Sequence, residues 1–308
     1  MSIFSFLIRR LLQAVFVVVI VTLLVAWLIR FTGDPSVMML QQSANVTQAD
    51  IDNIRTAMGL DRSFLVQYLD FMHGLLTGDL GKSFFRGPVA GLIATALPAT
   101  LLLAITSLAI SLALSVPLGV YAATHRGQIS DQLIRIFSLV GLSFPNFWLG
   151  IMLVLLFSVT LGWLPASGYT GISSLILPAL TIGVILTATN LRIVRTTMLE
   201  VLSEQYIMVA RAKGLNERQV IYKHALRNSS IALVTYLGLQ FGNLMGGLVV
   251  VELVFGWPGM GTLSIDAIAQ RDYPILQAVI SILAIMIVGV NLLVDLTYGL
   301  LDPRIRLG

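Results

Sequence analysis

Long apolar blocks separated by short polar connections run along the whole chain. Six of these blocks are long enough to cross a bilayer as a helix, which takes about 20 residues. They are residues 11–29, 97–123, 134–161, 175–191, 231–255 and 275–301. A backbone in lipid must satisfy its own polar groups, and no block shows the apolar–polar alternation of a barrel strand. The pattern therefore predicts an all-α polytopic membrane protein with six transmembrane helices.

The composition supports a membrane protein. Apolar residues make up 57% of the chain and charged residues 11%, and the mean hydropathy is +0.91; soluble domains are about a quarter charged. There is no cysteine, and the three histidines, His73, His125 and His224, do not cluster in sequence. No disulfide is therefore possible within the chain, and no metal site is predicted. The first block is interpreted as an uncleaved span because its apolar core is too long for a signal peptide.

The distribution of Lys and Arg predicts the orientation, since cytoplasmic connections are enriched in these residues. Thirteen of the 19 basic residues fall on one side of the predicted spans, and that side includes both termini. Both termini are therefore predicted to be cytoplasmic, and the net charge of +4 needs no nucleic-acid partner. This topology divides the chain into a first span (residues 1–30), an outer loop region (31–96) and a core of five spans (97–308).

The outer loop region is predicted to hold two short helices. Thr47 is a candidate N-cap for the first, and the second is expected to end within a run of glycines at positions 74, 78, 81 and 87. Residues 76–83 nearly match a phosphate-binding loop, but Leu76 stands where the first glycine is needed and no strand precedes it. Nucleotide binding by this segment is therefore not predicted.

A polar, basic segment interrupts the apolar pattern between the fourth and fifth spans. Residues 200–210 are expected to form one helix that Gly214 ends, and Asn216 is expected to cap a second, with Gln219 in the position of a capping-box partner. Val220 and Ala225 lie on the apolar stripe of that second helix. The segment is interpreted as a docking surface for another protein; the alternative is an amphipathic loop resting on lipid headgroups.

The order and spacing of many short motifs resemble the permeases of the dipeptide, oligopeptide and nickel branch of ABC importers. The motifs are Gly33-Asp34-Pro35, Gly59-Leu60-Asp61, Gly78-Asp79-Leu80-Gly81, Leu97-Pro98-Ala99-Thr100, Ser143-Phe144-Pro145, Ala210-Arg211-Ala212-Lys213-Gly214, His224-Ala225-Leu226-Arg227-Asn228, Trp257-Pro258-Gly259, Arg271-Asp272-Tyr273-Pro274 and Asp302-Pro303-Arg304. The chain departs from that pattern at Ser63 and Ala232, where the family often has proline. The fifth span is therefore expected to begin less sharply.

The resemblance implies the type I ABC importer permease fold in a bacterial cytoplasmic membrane. It further implies a second homologous permease, two ATP-binding subunits that hold ATP and Mg²⁺, and an extracytoplasmic substrate-binding protein. This chain would bind no cofactor and would not itself be an enzyme. Residues 196–228 would form the cytoplasmic coupling loop. The residues expected at the ATPase contact are Tyr206, Ala210, Arg211, Ala212, Gly214, Leu215 and Glu217.

Polar residues within the later spans are candidates for the substrate path or its gate. They are Gln240, Asn243, Glu252, Asn291 and Asp295. The alternative for Asn291 and Asp295 is a structural hydrogen bond between helices. Glu252 could shape a gate or face the binding protein, and a purely structural role is its alternative as well. The short connection at residues 162–174 resembles the nickel and glutathione branches, so small peptides or peptide-like nickel chelates both fit. An ion-coupled secondary transporter remains the alternative function, although no ion relay or inverted repeat is present.

Overall fold

The computed structural model describes residues 3–36 and 47–301; the side chains of residues 3–7, 32, 231, 243 and 295–301 lie outside that description. The chain is almost entirely helical. The outer loop region contains α2 and α3 and a two-stranded antiparallel hairpin, β1–β2. The described elements are α1 (Ile3–Leu28), α2 (Gln48–Ala57), α3 (Phe64–Thr77), β1 (Lys82–Ser83), β2 (Gly87–Pro88), α4 (Val89–Thr124), α5 (Ile129–Ser143), α6 (Asn146–Leu153), α7 (Ile172–Leu202), α8 (Gln205–Ala212), α9 (Glu217–Gln219), α10 (Leu226–Val254), α11 (Met260–Gln270) and α12 (Tyr273–Leu301). The 3-10 segment Ile29–Thr32 extends α1, and two π-helical segments are present, Val154–Thr160 after α6 and Val220–Ala225 before α10.

Six spans are present when each bent helix pair counts as one span, which confirms the predicted fold. Four single helices in the described chain are long and apolar enough to cross a membrane. They cover Ile8–Phe31, Val89–Thr124, Ile172–Leu202 and Tyr273–Val294. The third span pairs Ile129–Ser143 with Asn146–Thr160 at 102°, and the fifth pairs Ala232–Gly242 with Leu244–Val254 at 55°.

The third span is bent because of Pro145. The sequence predicts one uninterrupted block over residues 134–161, and the structure breaks it after Ser143. Phe144 is extended (φ −96°, ψ 133°), as expected for a residue before proline, where the helical conformation clashes with the ring. Pro145 then precedes the first residue of α6 and offers no N–H to the preceding helix.

Contacts divide the chain into two compact units, the first comprising residues 1–100 and 258–292 and the second residues 101–257 and 293–308. This grouping by contacts is distinct from the topological division at residues 30 and 96, which stays a prediction. In the first unit, apolar side chains from α1, α4, α11 and α12 form a core that includes Ile29, Val89, Met260 and Ile275.

Polar contacts fix the outer loop region within the first unit. Thr47 caps α2 in a full capping box with Asp50, as the sequence predicts. Ser83 in the hairpin donates to the buried Asp272 carboxylate, and Arg86 pairs with Asp266 at 3.0 Å. Residues 82–88 thus form a hairpin, and the next helix begins at Val89.

The predicted end of α3 within the run of glycines is confirmed. The helix runs through Gly74 and ends only at Thr77, where Gly78 has the left-handed conformation (φ +82°). Gly74 serves close packing instead, because a Cβ atom there would lie 2.2 Å from the carbonyl oxygen of Asp79.

Helices α4 and α7 of the second unit meet in a close seam. Glycines allow the helices to approach: a Cβ atom on Gly119 would lie 2.7 Å from Val194 Cγ1, and one on Gly183 would lie 2.8 Å from Ile110 Cγ2. Asn190 Nδ2 donates across the same seam to Ser111 Oγ at 2.8 Å. Small residues and a buried hydrogen bond are the usual means of helix association in lipid, where burial of apolar surface gives no driving force.

We expect Gly119→Ala to destabilise the second unit by about 1–3 kcal/mol, because the new methyl group must displace Val194 or the α7 backbone. The matched control is Gly91→Ala on the same helix, where a Cβ atom meets nothing within 4 Å. Thermal unfolding in detergent should give a lower midpoint for Gly119→Ala alone. Equal midpoints for the two variants would show that the seam has room for the methyl group.

Candidate functional site

The polar segment after the fourth span does not begin as the sequence predicts. Residues 200–210 were expected to form one helix, but α7 ends at Leu202 and α8 begins at Gln205. The Ser203 hydroxyl donates to the Glu200 carbonyl at 2.6 Å, and Glu204 is extended (φ −70°, ψ 148°). Serine competes for backbone carbonyls in this way at helix ends. The turn lets α8 change direction when the chain leaves the span.

The tight turn after α8 is confirmed. Gly214 has φ +78°, a conformation that glycine adopts without strain. Asn216 caps the next helical segment, accepting from the Arg218 N–H at 3.1 Å. Gln219 contributes only its backbone, whose N–H donates to the Asn216 carbonyl. The predicted capping-box pair with Gln219 is therefore wrong for the described structure.

The second arm of the loop is continuous with the fifth span. Glu217–Gln219, the π-helical segment Val220–Ala225 and α10 follow one another without a break. The helix therefore enters the span gradually, as expected from alanine instead of proline at position 232. A displacement of this arm would be carried into the first half of the fifth span, Ala232–Gly242, which precedes the 55° bend.

An apolar cluster lies beneath the loop, which we call the loop core. It joins Ile207 and Ala210 of α8 to Val220 and Ala225 of the second arm. Its other members are Val120 and Ala123 of α4, Val194 and Met198 of α7, and Leu233 of α10. Ile207, Val220 and Ala225 are fully buried. The predicted apolar stripe is therefore confirmed, and it faces the protein's own helices.

This arrangement corrects one expected contact residue. Ala210 was predicted to meet an ATPase, but it is buried in the loop core with 8% of its surface exposed. Its position three residues after Ile207 places both side chains on the inner face of α8. Ala210 therefore supports the loop from below.

Two polar contacts close the loop above the core. Asn228 Nδ2 donates to the Tyr206 hydroxyl at 2.7 Å and ties α8 to the start of α10. Arg211 makes a two-bonded ion pair with Glu217, at 2.6 Å and 3.1 Å, across the Gly214 turn. Hydrogen bonding to Arg211 lowers the pKa of Glu217, and the same bond raises the pKa of Arg211.

Exposed apolar side chains stand among the polar residues on the outer face of the loop. Met208 and Val209 on α8 are 57% and 51% exposed, and Leu215 after the turn is 37% exposed. Ala212 and Gly214, both expected at the contact, are exposed beside them. The sequence prediction did not include Met208 and Val209 among the contact residues. Their position could have indicated an exposed location, because they lie outside the helical stripe that the buried Ile207 and Ala210 define.

An ion pair braces the cytoplasmic end of the second unit. Arg195 on α7 bonds both carboxylate oxygens of Asp131 on α5, at 2.7 Å and 2.9 Å. The Asp131 side chain is 2% exposed, and its carboxylate also accepts from the Gly127 N–H. Arg195 is one of the thirteen basic residues on the side that the sequence predicts to be cytoplasmic. A carboxylate at the start of one apolar block and a guanidinium near the end of another is the signal that could have identified the pair.

The predicted path residues fall into different environments. Gln240 is buried on α10, and its Oε1 atom has no hydrogen-bond partner among the described residues. Asn291 is exposed on α12. The side chains of Asn243 and Asp295 lie outside the described part of the structure. A role for these residues in a path therefore stays a prediction.

Glu252 differs from one of its two expectations. Its side chain is fully buried, and its backbone carbonyl accepts from the Trp257 N–H at 2.8 Å. A carboxylate in that position does not face an external binding protein, so that alternative is wrong for this structure. The alternative in which Glu252 shapes a gate stays a prediction.

Nearly the whole chain matches one family of known proteins. Residues 115–307 match the family described as "Binding-protein-dependent transport system inner membrane component", and residues 3–104 match its N-terminal region. The chain is 40% identical over 304 residues to the glutathione transport system permease protein GsiC of Escherichia coli O6:H1, covering 98% of this chain and 99% of that protein. It is 38% identical over 315 residues to the oligopeptide transport system permease protein AppB of Bacillus subtilis, with coverage of 98% and 99%.

Solved structures match the fold. An inward-facing structure of the MetNI methionine ABC transporter gives a TM-score of 0.57 at 19% identity, covering 68% of this chain and 96% of that chain. The crystal structure of an amino acid ABC transporter gives 0.53 at 15% identity, with coverage of 68% and 94%. At these identities the likeness concerns the arrangement of helices alone.

Ile207→Ala is expected to loosen the loop core, because truncating a fully buried isoleucine costs about 2–4 kcal/mol. Arg211 and Lys213 are already exposed, but local opening would free the backbone around them to enter the active site of trypsin, so cleavage in nanodiscs should be at least about tenfold faster. The matched control on the same helix is Val209→Ala, whose side chain is 51% exposed and whose cleavage should stay near the parent rate. Equal cleavage of Ile207→Ala and the parent would contradict a packed loop core.

The Arg211–Glu217 pair predicts a pH dependence of the turn. Because the folded pKa of Glu217 lies below its ordinary 4.5, the stabilisation by this pair is fully present above pH 4.5 and is lost as pH falls through the lowered value. A carbon-13 NMR titration of the labelled glutamate carboxyls should show a midpoint below 4.5 for Glu217. Arg211→Gln should return the midpoint towards 4.5, and a parent midpoint at or above 4.5 would contradict the pairing.

Proposed function

Because this chain belongs to the family of binding-protein-dependent transport system inner membrane components, we propose that it is a permease subunit that imports peptides with energy supplied by ATP. The chain is a multi-pass protein of the bacterial inner membrane with the type I ABC importer permease fold. It is a transport subunit and is not itself an enzyme.

Short peptides are the proposed substrate class. The two curated relatives named above are permeases of a glutathione system and an oligopeptide system, and each aligns with this chain over nearly its full length. A peptide presents carbonyl and amide groups and two charged ends, so a path with scattered polar groups such as Gln240 can accept it without a dedicated metal site. Nickel chelates share this polar character and stay an alternative cargo.

The observation that carries the proposed coupling role is the exposed apolar face of α8. Met208 and Val209 project from a loop that is otherwise polar and firmly packed from below. Exposed apolar residues on a rigid cytoplasmic element are typical of an interaction surface. We assign this face to an ATP-hydrolysing subunit, which would hold the ATP and Mg²⁺ that this chain lacks the motifs to bind.

The proposed mechanism is a switch between inward-facing and outward-facing states. When two ATPase subunits close on ATP, the loop would be displaced as a body, because the loop core ties it to α4 and α7 and the second arm continues into α10. A change at the loop would then reach three spans together. A second permease of the same family would complete the pore, and an extracytoplasmic binding protein would deliver the peptide.

Val209→Glu is expected to block docking, since it places a charge in the centre of the apolar face. In proteoliposomes with the ATPase subunits and binding protein, ATP-driven uptake of radiolabelled trialanine should fall at least about tenfold. Gln128→Glu is the control, because it adds the same charge at an exposed cytoplasmic position on another connection. That variant should transport near the parent rate.

Two results would contradict the proposal. Equal uptake by Val209→Glu and the parent would remove the docking role from α8. Uptake that proceeds without ATPase subunits and responds to a proton or sodium gradient would favour the ion-coupled transporter.

A further inference from the structure

A cavity of about 450 Å³ opens within the first unit, among residues of the outer loop region and the outer end of α1. Its walls come from the end of α1, the α2–α3 connection, one face of α3, the β1 strand and the start of α12. We call it the outer cavity. Its volume falls in the range of about 300–1,000 Å³ that is usual for small-molecule sites.

Arg30 lies at the wall of this cavity, and the described partners of its guanidinium are neutral groups. Its guanidinium donates to the Ala26 carbonyl and to Gln67 Oε1, the latter at 2.5 Å, and lies 4.5 Å from the centre of the Phe64 ring. These neutral groups fix its position, and no carboxylate pairs with it in the described structure. A partly buried cation with only neutral partners favours an anion as its remaining contact.

The charges around the outer cavity leave an excess of donors. Arg30, Arg62 and Lys82 face two carboxylates, Asp70 and Asp79, so the lining carries a net charge of +1. Arg62 is already paired with Asp70 at 3.1 Å. Lys82 makes no ion pair with any described residue.

A neutral donor adds to this excess. The side-chain nitrogen of Gln277, another lining residue, is shielded from solvent and has no hydrogen-bond partner in the described structure. The lining thus supplies cationic and amide donors together with one carboxylate, Asp79, that has no cation partner among the described residues. A ligand that carries a carboxylate and backbone carbonyl oxygens would satisfy these donors, and its ammonium group would suit Asp79.

We propose that the outer cavity is a substrate subsite that binds the carboxylate end of a short peptide, with Arg30 and Lys82 as the carboxylate contacts. The inference rests on the proposed function, since the ligand class is the proposed cargo. The cavity lies on the extracytoplasmic side, because the first span starts at the cytoplasm and Arg30 is at its far end. A peptide would therefore occupy it before it crosses the membrane.

The absence of cysteine from this chain makes a direct test possible. Thr77→Cys places one thiol on an exposed lining position, and Asn53→Cys places one on an exposed position of α2 outside the cavity. The rate of maleimide labelling of each thiol is measured on the full importer in nanodiscs. Labelling is followed without ligand, with trialanine, and with the C-terminal amide of trialanine.

Trialanine is expected to slow labelling of Thr77→Cys in a saturable manner and to leave Asn53→Cys unchanged. The amide should protect at concentrations at least about tenfold higher, because it lacks the charged acceptor. Arg30→Gln and Lys82→Gln, each added to Thr77→Cys, should likewise raise the concentration of trialanine that is needed for protection. Arg55→Gln removes a guanidinium from the same region outside the cavity, and it should have no effect.

Three outcomes would overturn the inference. They are no protection by trialanine at any concentration, equal protection by the acid and the amide, and protection by the peptide-free binding protein alone, which would make the cavity a protein contact. ATP-driven trialanine uptake by the same preparation separates the two proposals. Uptake without protection defeats the subsite only, whereas a parent importer that moves no peptide defeats the proposed function.

Discussion

The loop between the fourth and fifth spans depends on the burial of its apolar side chains against the ends of the neighbouring spans. Ile207 and Val220 are fully buried against residues of α4 and α7. This packing decides the other features of the loop. It orients α8 so that Val209 faces outward, and it brings the ends of the turn close enough for Arg211 to pair with Glu217. The exposed ion pair is secondary, since contacts of its kind contribute little by themselves.

The same packing supplies the rigidity that the proposed coupling role requires of a helical loop. A solvated loop would absorb a displacement through its own backbone, because nothing would oppose local unfolding. Here the loop core joins α8 to three spans, and the second arm has no break before α10. The Arg195–Asp131 pair adds a buried connection between α5 and α7 at the cytoplasmic end of the same unit. Removing either partner of such a pair leaves a buried charge uncompensated, which is strongly destabilising.

The first unit combines an apolar core with polar contacts. Its outer region is held by hydrogen bonds and ion pairs, such as Ser83 with Asp272 and Arg86 with Asp266, beside that core. Residues that make such polar contacts place polar side chains at the rim of a cavity. Apolar side chains in the same place would fill that cavity. This difference accounts for a donor-rich cavity with Arg30 at its wall, on a region that sequence patterns describe only as two short helices.

The sequence was sufficient for the features that depend on local chemistry. Block length predicts the six spans, Thr47 predicts the capping of α2, and Gly214 predicts the turn of the coupling loop. Features that depend on tertiary contacts were not predictable from pattern alone. The burial of Ala210 depends on which face of α8 meets α7, and the break at Ser203 depends on the direction in which the loop leaves the membrane. The outer cavity is formed by segments from both ends of the chain, as the contact between the Tyr273 hydroxyl and the Gly33 carbonyl shows.

The central claim is that the coupling loop is a preformed, packed element before any ATPase binds. Hydrogen–deuterium exchange of the amides of residues 205–228 in nanodiscs, without ATPase subunits, tests it most directly. We expect Ile207 to Ala212 and Val220 to Ala225 to exchange as slowly as the cytoplasmic end of α7, with little further slowing when ATPase subunits are added. Exchange at the rate of an unstructured chain, with protection only in the complex, would contradict the account.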